Sequence, residues 1–462
     1  MFNIKDYHGK NDTATIQAAI DEAANAGGGT VFVPAGKYVC GSIILRDNIT
    51  LELSHGAEIV ASDDASDYDY SIYFPENYSK KKTDAFVEKR FMGLICCKNV
   101  KNVTIKGGAL VANDVSYFEK RELKGKAFEP ALQAPAWYEY KISRERVAMI
   151  LCENCENLTF EDVRIEKYPA YAAWAIGCDT VRVKSVSTKG RKDLINTDGF
   201  HFSECKNVFV SSCVFECGDD CIAIDPGAHG QSRDVVVTGC VFNTSVHAVR
   251  IYTGIDAVAN GMERSVKNIS VSACTVTDAA GILNINAQDG IIENISMTDV
   301  TATLDAEGTS FLISSSDGKV ENVRISGLVM KGNGCGMIHA SKKGEISRIR
   351  ITDCEFVITP KTKLHAQFEF MPLVFPRHCH FFPIAFHFER ACDVIVKDIR
   401  LGWTAPIYSD SWESTRKQAL IEAIKPTDIS VLEPKHLEAF KIIDCENIWI
   451  KDSVCPDFDV LG

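Results

Sequence analysis

Short β-branched runs, each preceded by a polar residue, recur along this chain of 462 residues. The polar anchors are Asn102, Asn157, Thr180, Asn207, Asp234, Asn268, Asn294, Asn322, Arg348, Asp393 and Asn447. From Asn157 to Arg348 they are 23, 27, 27, 34, 26, 28 and 26 residues apart. Short strands at such a period predict a β-solenoid, in which each coil buries its apolar side against its neighbours. The irregular period disfavours a β-propeller, whose blades need four strands each.

Apolar residues stand at two constant distances from these anchors. Six residues after an anchor come Val163, Val186, Cys213, Cys240, Cys274, Val300, Leu328 and Cys354, and two residues before one come Cys155, Cys178, Cys205 and Cys445. Eight of the 18 cysteines therefore fall in stacked columns. We interpret them as small core residues rather than metal ligands or disulfide partners, because no pair of CxxC motifs has zinc spacing.

The N-terminal segment is predicted to cap the solenoid. Asp12 can N-cap a helix that carries Ile16 and Ile20 on one face and ends at Gly27–Gly29. Such a helix would cover apolar core and strand edges at the open end of the first coil. The prediction is an all-β fold, a single-stranded right-handed parallel β-helix. The whole chain, 1–462, is predicted to form one β-helix domain with an N-terminal cap at about 1–30.

Four stretches interrupt the repeat, at about 63–92, 109–147, 361–390 and 403–440. Long insertions on a regular scaffold usually shape a binding site. The third is rich in phenylalanine and histidine between Phe368 and Phe388. Three interpretations of it stay open: a flap that seals the helix, a contact that makes a homo-oligomer, and an aromatic wall that binds sugar.

Two acidic phrases, NTDG at 196–199 and GDDC at 218–221, lie about one coil apart. Aligning the strands that follow them places Asp198, Asp220 and His247 in one column across three coils, with Asp219 beside Asp220. Crowded carboxylates raise at least one pKa. A protonated acid beside an ionised base is what glycosidic hydrolysis requires. The alternative is that these acids cap turns or bind a cation such as calcium.

These motifs, together with the opening FNIKDYHGKND, TATIQAAIDEA and GGGTVFVPAGKY, resemble the polygalacturonases of glycoside hydrolase family 28 over about residues 1–300. The resemblance implies that Asp219 is the general acid and that Asp198 and Asp220 hold and deprotonate the attacking water. His247 would tune the acid or contact the sugar, although Val246 and Ala248 replace the usual glycines. The family inverts the anomeric configuration, which implies an acid–base separation of about 6.5–9.5 Å.

The resemblance breaks down at the residues that bind the substrate. Asn284 and Asn286 stand where the family's Arg-Ile-Lys motif grips a carboxylate, and Asp225 stands where the family often has Lys. Arg250, aligned one coil earlier in a column with His201, is predicted to restore one positive charge; the alternative is an ordinary exposed strand arginine. The predicted substrate-binding set is Arg250, His201, Asn284 and Asn286. The substrate is then either a galacturonide or a sugar that needs fewer positive contacts.

Composition narrows the class of partner. The net charge of −12 disfavours nucleic acid and anionic membranes, and no apolar stretch reaches 18 residues. The N-terminus lacks a basic region followed by an apolar core, so we expect a cytoplasmic protein. We further expect an enzyme that needs no cofactor or metal. It would act from the ends of short pectin-derived or related oligosaccharides. Two alternatives are a β-helix polysaccharide lyase, which would use calcium and a basic residue, and a non-catalytic carbohydrate-binding β-helix.

Overall fold

The computed structural model describes residues 1–73, 90–120, 140–227, 230–254, 264–304, 309–332, 334–358, 384–403 and 438–455. These residues coil into a parallel β-helix. Sheet 1, which has 13 strands in the described part, contains one strand from each successive coil. Its parallel strands are Ile43–Ile44, Arg90–Lys98, Arg146–Glu153, Ala173–Ile176, Phe200–Ser203, Ile222–Asp225, His247–Thr253, Gly281–Ala287, Thr309–Ser315, Gly334–Ala340, Ile384–Glu389 and Glu438–Ile443, and Ser71–Tyr73 joins antiparallel to Arg90–Lys98.

Sheet 2 has 24 described strands in two parallel ladders. The first ladder is Phe2–Asn3, Gly29–Val33, Ile49–Leu53, Lys101–Lys106, Glu156–Glu161, Asp179–Lys184, Lys206–Ser211, Gln231–Thr238, Ser265–Ser272, Ile291–Thr298, Lys319–Ser326, Glu345–Ile358, Cys392–Trp403 and Glu446–Lys451. The second is Gly36–Cys40, Ala57–Ala61, Ala109–Val111, Arg164–Glu166, Ser187–Lys189, Val214–Cys217, Val241–Thr244, Thr275–Asp278, Thr301–Thr303 and Val329–Gly332. Strands alternate in burial: Val208 and Val210 are in the core, while Phe209 between them is 44% exposed.

Each polar anchor of the repeat lies near the start of its own strand in the first ladder. All eleven have a positive φ, between 54° and 60°. Asparagine tolerates this left-handed conformation better than other residues with side chains. Neighbouring side chains also bond along the ladder: Asn268 donates to Asp234 (2.8 Å), and Asn294 donates to Asn268 (3.0 Å). The anchors thus turn the chain and link successive coils.

The two cysteine-containing columns lie in the core, as the repeat predicts, except that Cys445 is only partly buried. In the column six residues after the anchors, every side chain is at most 4% exposed. Cysteine thiols there bond backbone carbonyls, as Cys213 does with Ser211 (3.1 Å). Small side chains suit these corners, where the chain passes from one ladder to the next.

The N-terminal helix Asp12–Asn25 covers the first coil with Ile16 and Ile20, both fully buried. Its cap differs from the prediction. Asn11 is the N-cap and accepts a hydrogen bond from the Ala14 amide, while Asp12 accepts one from Val39. Short 3-10 turns lie at Ile4–Asp6, Ala65–Asp67 and Asp114–Tyr117. None of the helices in the described residues is long and apolar enough to cross a membrane.

The predicted insertions include too many residues, because strands of the β-helix occupy their ends. Ala109–Val111, the start of Arg146–Glu153, Ile384–Glu389 and the start of Glu438–Ile443 all pair with neighbouring coils. Phe386 and Phe388, assigned above to an aromatic insertion, are fully buried core residues. Inside the first two predicted insertions, Ser71–Tyr73 joins sheet 1, and Phe118–Lys120 pairs antiparallel with Tyr140–Ile142. Most of the remaining predicted insertion residues, including the proposed oligomer contact, lie outside the described ranges.

Candidate active site

The turns leading into sheet 1 stack Asp198, Asp220 and His247 in one column. Gly199 N donates to Asp220 O (2.9 Å), and Cys221 N donates to His247 O (2.9 Å). This register is the one expected from the spacing of the two acidic phrases. Each residue comes from a separate coil, so the parallel pairing of sheet 1 brings the three side chains together.

Asp220 is held in its ionised form. Its carboxylate accepts from His247 Nδ1 (2.7 Å) and from an Arg250 guanidinium nitrogen (3.1 Å). Burial by itself would raise the pKa of Asp220, which is 1% exposed, but the positive charge of Arg250 and the bond from His247 outweigh burial and lower that pKa. Asp220 is therefore a buried carboxylate that can accept a proton.

Asp219 lies beside Asp220, but its pKa is shifted in the opposite direction. Burial, reinforced by the charges of Asp198 and Asp220, raises the pKa of Asp219 well above its ordinary value. Its two oxygens accept hydrogen bonds from the backbone amides of Asn196 (3.0 Å) and Asp220 (3.1 Å). Asp219 is half-buried, whereas Asp198 and Asp220 are buried. The most accessible carboxyl of the three is thus the one most suited to carry a proton.

Asp198 is backed by a buried imidazole. Burial raises the pKa of Asp198, and the nearby His201 opposes that rise. His201 Nδ1 lies 3.4 Å from Asp198, and Nε2 lies 2.7 Å from Asp225. Burial would lower the pKa of His201, but these two aspartates raise it to about 10. His201 is thus an imidazolium whose two nitrogens face carboxylates, and its contact with a sugar stays a prediction.

Arg250 and the two asparagines lie in adjacent strands of sheet 1, on the side facing away from the core. Arg250 pairs with Asn284, and Tyr252 pairs with Asn286. The Arg250 side chain is 16% exposed, and its guanidinium lies 4.5 Å from the Tyr252 ring centre. It is therefore a packed arginine bound to Asp220 rather than an ordinary exposed one. Asn284 Nδ2 contacts His247 Nε2 (3.0 Å), which extends the network by one coil.

Arg146 is a part of the site that the sequence patterns did not reveal. This buried guanidinium donates to Ile195 O (2.9 Å) and to the side-chain oxygen of Asn196 (3.2 Å), while the backbone N–H of Asn196 donates to Asp219. Burial lowers the pKa of Arg146 to about 10, so it stays charged at neutral pH. The one signal in the sequence was an arginine at the start of the mostly apolar strand RVAMILCE.

Aromatic side chains form a packed cluster next to sheet 1, one coil before the acidic residues. Trp174 pairs with His201 in the register of the sheet, one coil before the acidic residues. The rings of Tyr171 and Trp174 lie 5.0 and 5.7 Å from the His201 ring, and Phe91 stacks on Tyr171 at 5.2 Å. All three aromatic residues are at most 6% exposed although they lie outside the core of the helix. In the described part of the chain, these three rings form an aromatic wall beside His201.

Metal binding was the alternative interpretation of the clustered acids. Across the described residues, no group of three histidine, cysteine, aspartate or glutamate side chains is arranged to hold a metal ion. The carboxylates of the site instead accept hydrogen bonds from His247, Arg250 and backbone amides. Their arrangement in this part of the chain suits proton transfer.

Comparisons with known proteins give a family match, curated relatives and similar structures. Residues 82–291 match the model for "Glycosyl hydrolases family 28". The chain is 25% identical over 276 residues to an exo-poly-alpha-D-galacturonosidase of Dickeya chrysanthemi (53% of this chain, 45% of that one) and 23% identical over 223 residues to a probable polygalacturonase of Vitis vinifera (47% and 41%). It spans under half the length of these relatives. A Yersinia enterocolitica family 28 exopolygalacturonase has a similar structure, with TM-score 0.68 and 14% identity over 98% of this chain and 79% of that one, which confirms the predicted fold.

Proposed function

We propose that this polygalacturonase-like chain, whose resemblance to family 28 the comparisons confirm, is an inverting hydrolase of glycosidic bonds in pectin-derived or related oligosaccharides. The observation that carries the proposal is the division of roles among adjacent carboxyls. The pKa of Asp219 is raised, while that of Asp220 is lowered by Arg250 and His247. An inverting hydrolase requires a protonated acid for the leaving oxygen and an ionised base for the attacking water.

In the proposed reaction, Asp219 donates its proton to the glycosidic oxygen as the bond to the anomeric carbon breaks. Asp198 and Asp220 orient a water molecule, and Asp220 accepts its proton as the water oxygen bonds the anomeric carbon. Direct attack by water inverts the anomeric configuration. His247 holds Asp220 in place (2.7 Å), and the cationic His201 stabilises the negative charge of Asp198.

Exo action is supported by the aromatic wall of Phe91, Tyr171 and Trp174. A chain of sugars cannot extend through three packed rings one coil from Asp198, so only a chain end reaches the acids from that side. We therefore propose cleavage of terminal units from short oligosaccharides. The predicted cytoplasmic location is compatible with imported substrates, and cell fractionation would test it.

The proposal is tested with Asp219→Asn, which keeps the shape of the side chain but removes the acid. Oligogalacturonides, their carboxyl-reduced derivatives and neutral aryl glycosides are incubated with a chelator present. We expect the wild-type chain to release terminal sugars, and Asp219→Asn to lose activity by about 10²–10⁴-fold. Asp234→Asn is the matched control, because asparagine is the usual residue at that kind of anchor position.

Product analysis separates the alternatives. NMR of fresh product should show the inverted anomer. A product with an unsaturated, ultraviolet-absorbing ring would contradict hydrolysis and indicate a lyase. Binding of oligosaccharides without turnover, unchanged in Asp219→Asn, would instead indicate a carbohydrate-binding protein. Internal cleavage of long oligomers would contradict only the exo proposal.

A further inference from the structure

Asp225 is a buried carboxylate that takes no part in the proposed reaction. It stands where the resembled family often has lysine, at the end of the strand Ile222–Asp225, and is 3% exposed. Three groups contact it at 2.7 Å: the backbone N–H of Gly227 donates to Oδ1, while the Ser203 hydroxyl and His201 Nε2 lie against Oδ2. A carboxylate buried this far is costly unless hydrogen bonds or an opposite charge compensate it.

Two of these three contacts have a direction that does not depend on any titration. The Gly227 N–H can only donate. Trp174 Nε1, which also can only donate, bonds Ser203 Oγ (2.9 Å), so the Ser203 hydroxyl hydrogen is left to donate to Asp225. Asp225 therefore acts as an acceptor toward fixed donors on both of its oxygens. His201 Nε2 completes this set as a third donor to the same carboxylate.

The other nitrogen of the His201 ring faces Asp198. Nδ1 lies 3.4 Å from Asp198 Oδ2, and neither Nδ1 nor Asp198 Oδ1 has a hydrogen-bond partner in the described part of the chain. Tyr171 and Trp174 pack on the ring, and the Tyr252 hydroxyl lies 3.1 Å from Nε2, so these neighbours bring rings and a hydroxyl rather than charge. Burial alone would lower the pKa of His201, but the carboxylate at each nitrogen raises it to about 10.

We propose that Asp225 is a positioning residue that holds His201 as a fixed cation beside Asp198. Its effect on the reaction rests on the proposed function, in which Asp198 helps to orient the attacking water. The 2.7 Å contact at Nε2 and the packed rings fix the plane of the imidazole, so Nδ1 stays directed at Asp198. With aspartate instead of lysine at position 225, the positive charge in this part of the site is carried by His201.

The first test observes His201 directly by NMR of the chain labelled with 15N-histidine, its signals being assigned by their loss in His201→Gln. In the wild type, His201 should stay protonated from pH 5 to pH 9. A carboxylate partner typically shifts a pKa by about 1–3 units, so in Asp225→Asn the pKa of His201 should fall from about 10 to about 7–9. Ser203→Ala is the matched control, because it removes one hydrogen bond to Asp225 but leaves its charge. His201 should stay protonated to pH 9 in that control.

The second test compares the kcat of Asp225→Asn with that of the wild type at each pH. Below the lowered pKa of His201, both chains carry a cationic imidazole, whereas above it the variant loses the charge beside Asp198. The ratio of variant to wild-type kcat should therefore fall by at least about threefold from pH 5 to pH 9, with KM nearly constant. Titration of Asp219, which is common to both chains, cancels in this ratio. Ser203→Ala should give a ratio that does not change with pH.

A wild-type His201 that titrates near its ordinary value of about 6.5 would overturn the proposal without any variant being needed. An unchanged pKa of His201 in Asp225→Asn, or a kcat ratio that is the same at every pH, would also overturn it, since Asp225 would then be merely structural. If the wild-type chain hydrolyses no oligosaccharide but Asp225→Asn still lowers the pKa of His201, the proposed function is refuted and the pairing of Asp225 with His201 stands.

Discussion

Replacing Arg250 with glutamine should shift the pH dependence of the reaction. Arg250 is the cation that holds the pKa of Asp220 below its ordinary value, with an N–O distance of 3.1 Å. Without that charge, burial dominates and the pKa of Asp220 rises. Because Asp220 must be ionised to act as base, the acidic limb of the kcat/KM profile should move to higher pH.

The size of the shift follows from the geometry of the pair. Two unit charges about 4 Å apart interact by about 4 kcal/mol at an effective dielectric constant of about 20. The Arg250 side chain is 16% exposed, and glutamine can still donate one hydrogen bond, so part of this energy is screened or retained. A carboxylate beside arginine typically has its pKa lowered by about 1–3 units. We therefore expect the limb to move by about 1–2 units, or about 1.4–2.7 kcal/mol.

Arg250→Gln should also lower the folding stability at neutral pH. The lowered pKa of Asp220 contributes stability above its unfolded value of about 3.9, and this contribution disappears as the pH falls through the folded pKa. Arg250→Gln should therefore unfold at lower urea concentration than wild type at pH 7, with the difference shrinking toward pH 3. Arg264→Gln is the control, because Arg264 is also buried and paired with an aspartate, Asp289, but does not contact Asp220.

The measurements are kcat/KM between pH 4 and 8 on a cleaved oligosaccharide and urea unfolding at pH 7 and pH 3. Arg264→Gln should lose stability while keeping the wild-type pH profile. If Arg250→Gln also keeps the wild-type acidic limb, the claim that Arg250 sets the ionisation of Asp220 is refuted. A shift of the acidic limb of Arg250→Gln to lower pH would show that Asp220 is not the base whose ionisation limits the rate.

Three further predictions concern the scaffold around the acids. Arg146→Met should lower kcat about 10–100-fold with little change in KM, because the Asn196 amide that bonds Asp219 loses its support; a change in KM alone would contradict this. Asn268→Ala should lower the free energy of unfolding by about 1–3 kcal/mol in urea titrations, because two ladder bonds and a left-handed asparagine are lost; a loss under about 0.5 kcal/mol would show that the ladder adds little. Thiol titration at pH 8 should be slow for core cysteines until urea unfolds the chain, since the pKa of Cys240 is raised to about 12; fast reaction of Cys240 in the native chain would contradict its burial.

The repeat in the sequence was enough to predict the fold, because each coil follows the same local rules. A polar residue with positive φ lies near the start of eleven first-ladder strands, and β-branched residues follow it. The ends of the insertions were not predictable in this way. Short strands such as Ala109–Val111 have too few residues to show a pattern, and they are defined by pairing with neighbouring coils.

The acidic residues were predictable for the same reason, since one coil of spacing implies one column. The residues that hydrogen-bond to these acids were less predictable from the sequence. The contact of Arg250 with Asp220 depends on the direction of a long side chain, and sequence spacing alone suggested a free cation in the groove. Arg146 comes from two coils before Asp198 and contacts mainly backbone oxygens, which have no counterpart in a residue pattern.

The site draws Asp198, Asp220, His247 and Asn284 from four successive coils, and Arg146 from two coils before Asp198. Changes in chain length therefore have two very different effects on it. Residues added within a turn bulge outward and leave the stacking of the strands intact, so loops can vary widely between related chains. Loss or duplication of a whole coil preserves the fold but removes or separates one partner, which abolishes the site in a single genetic event.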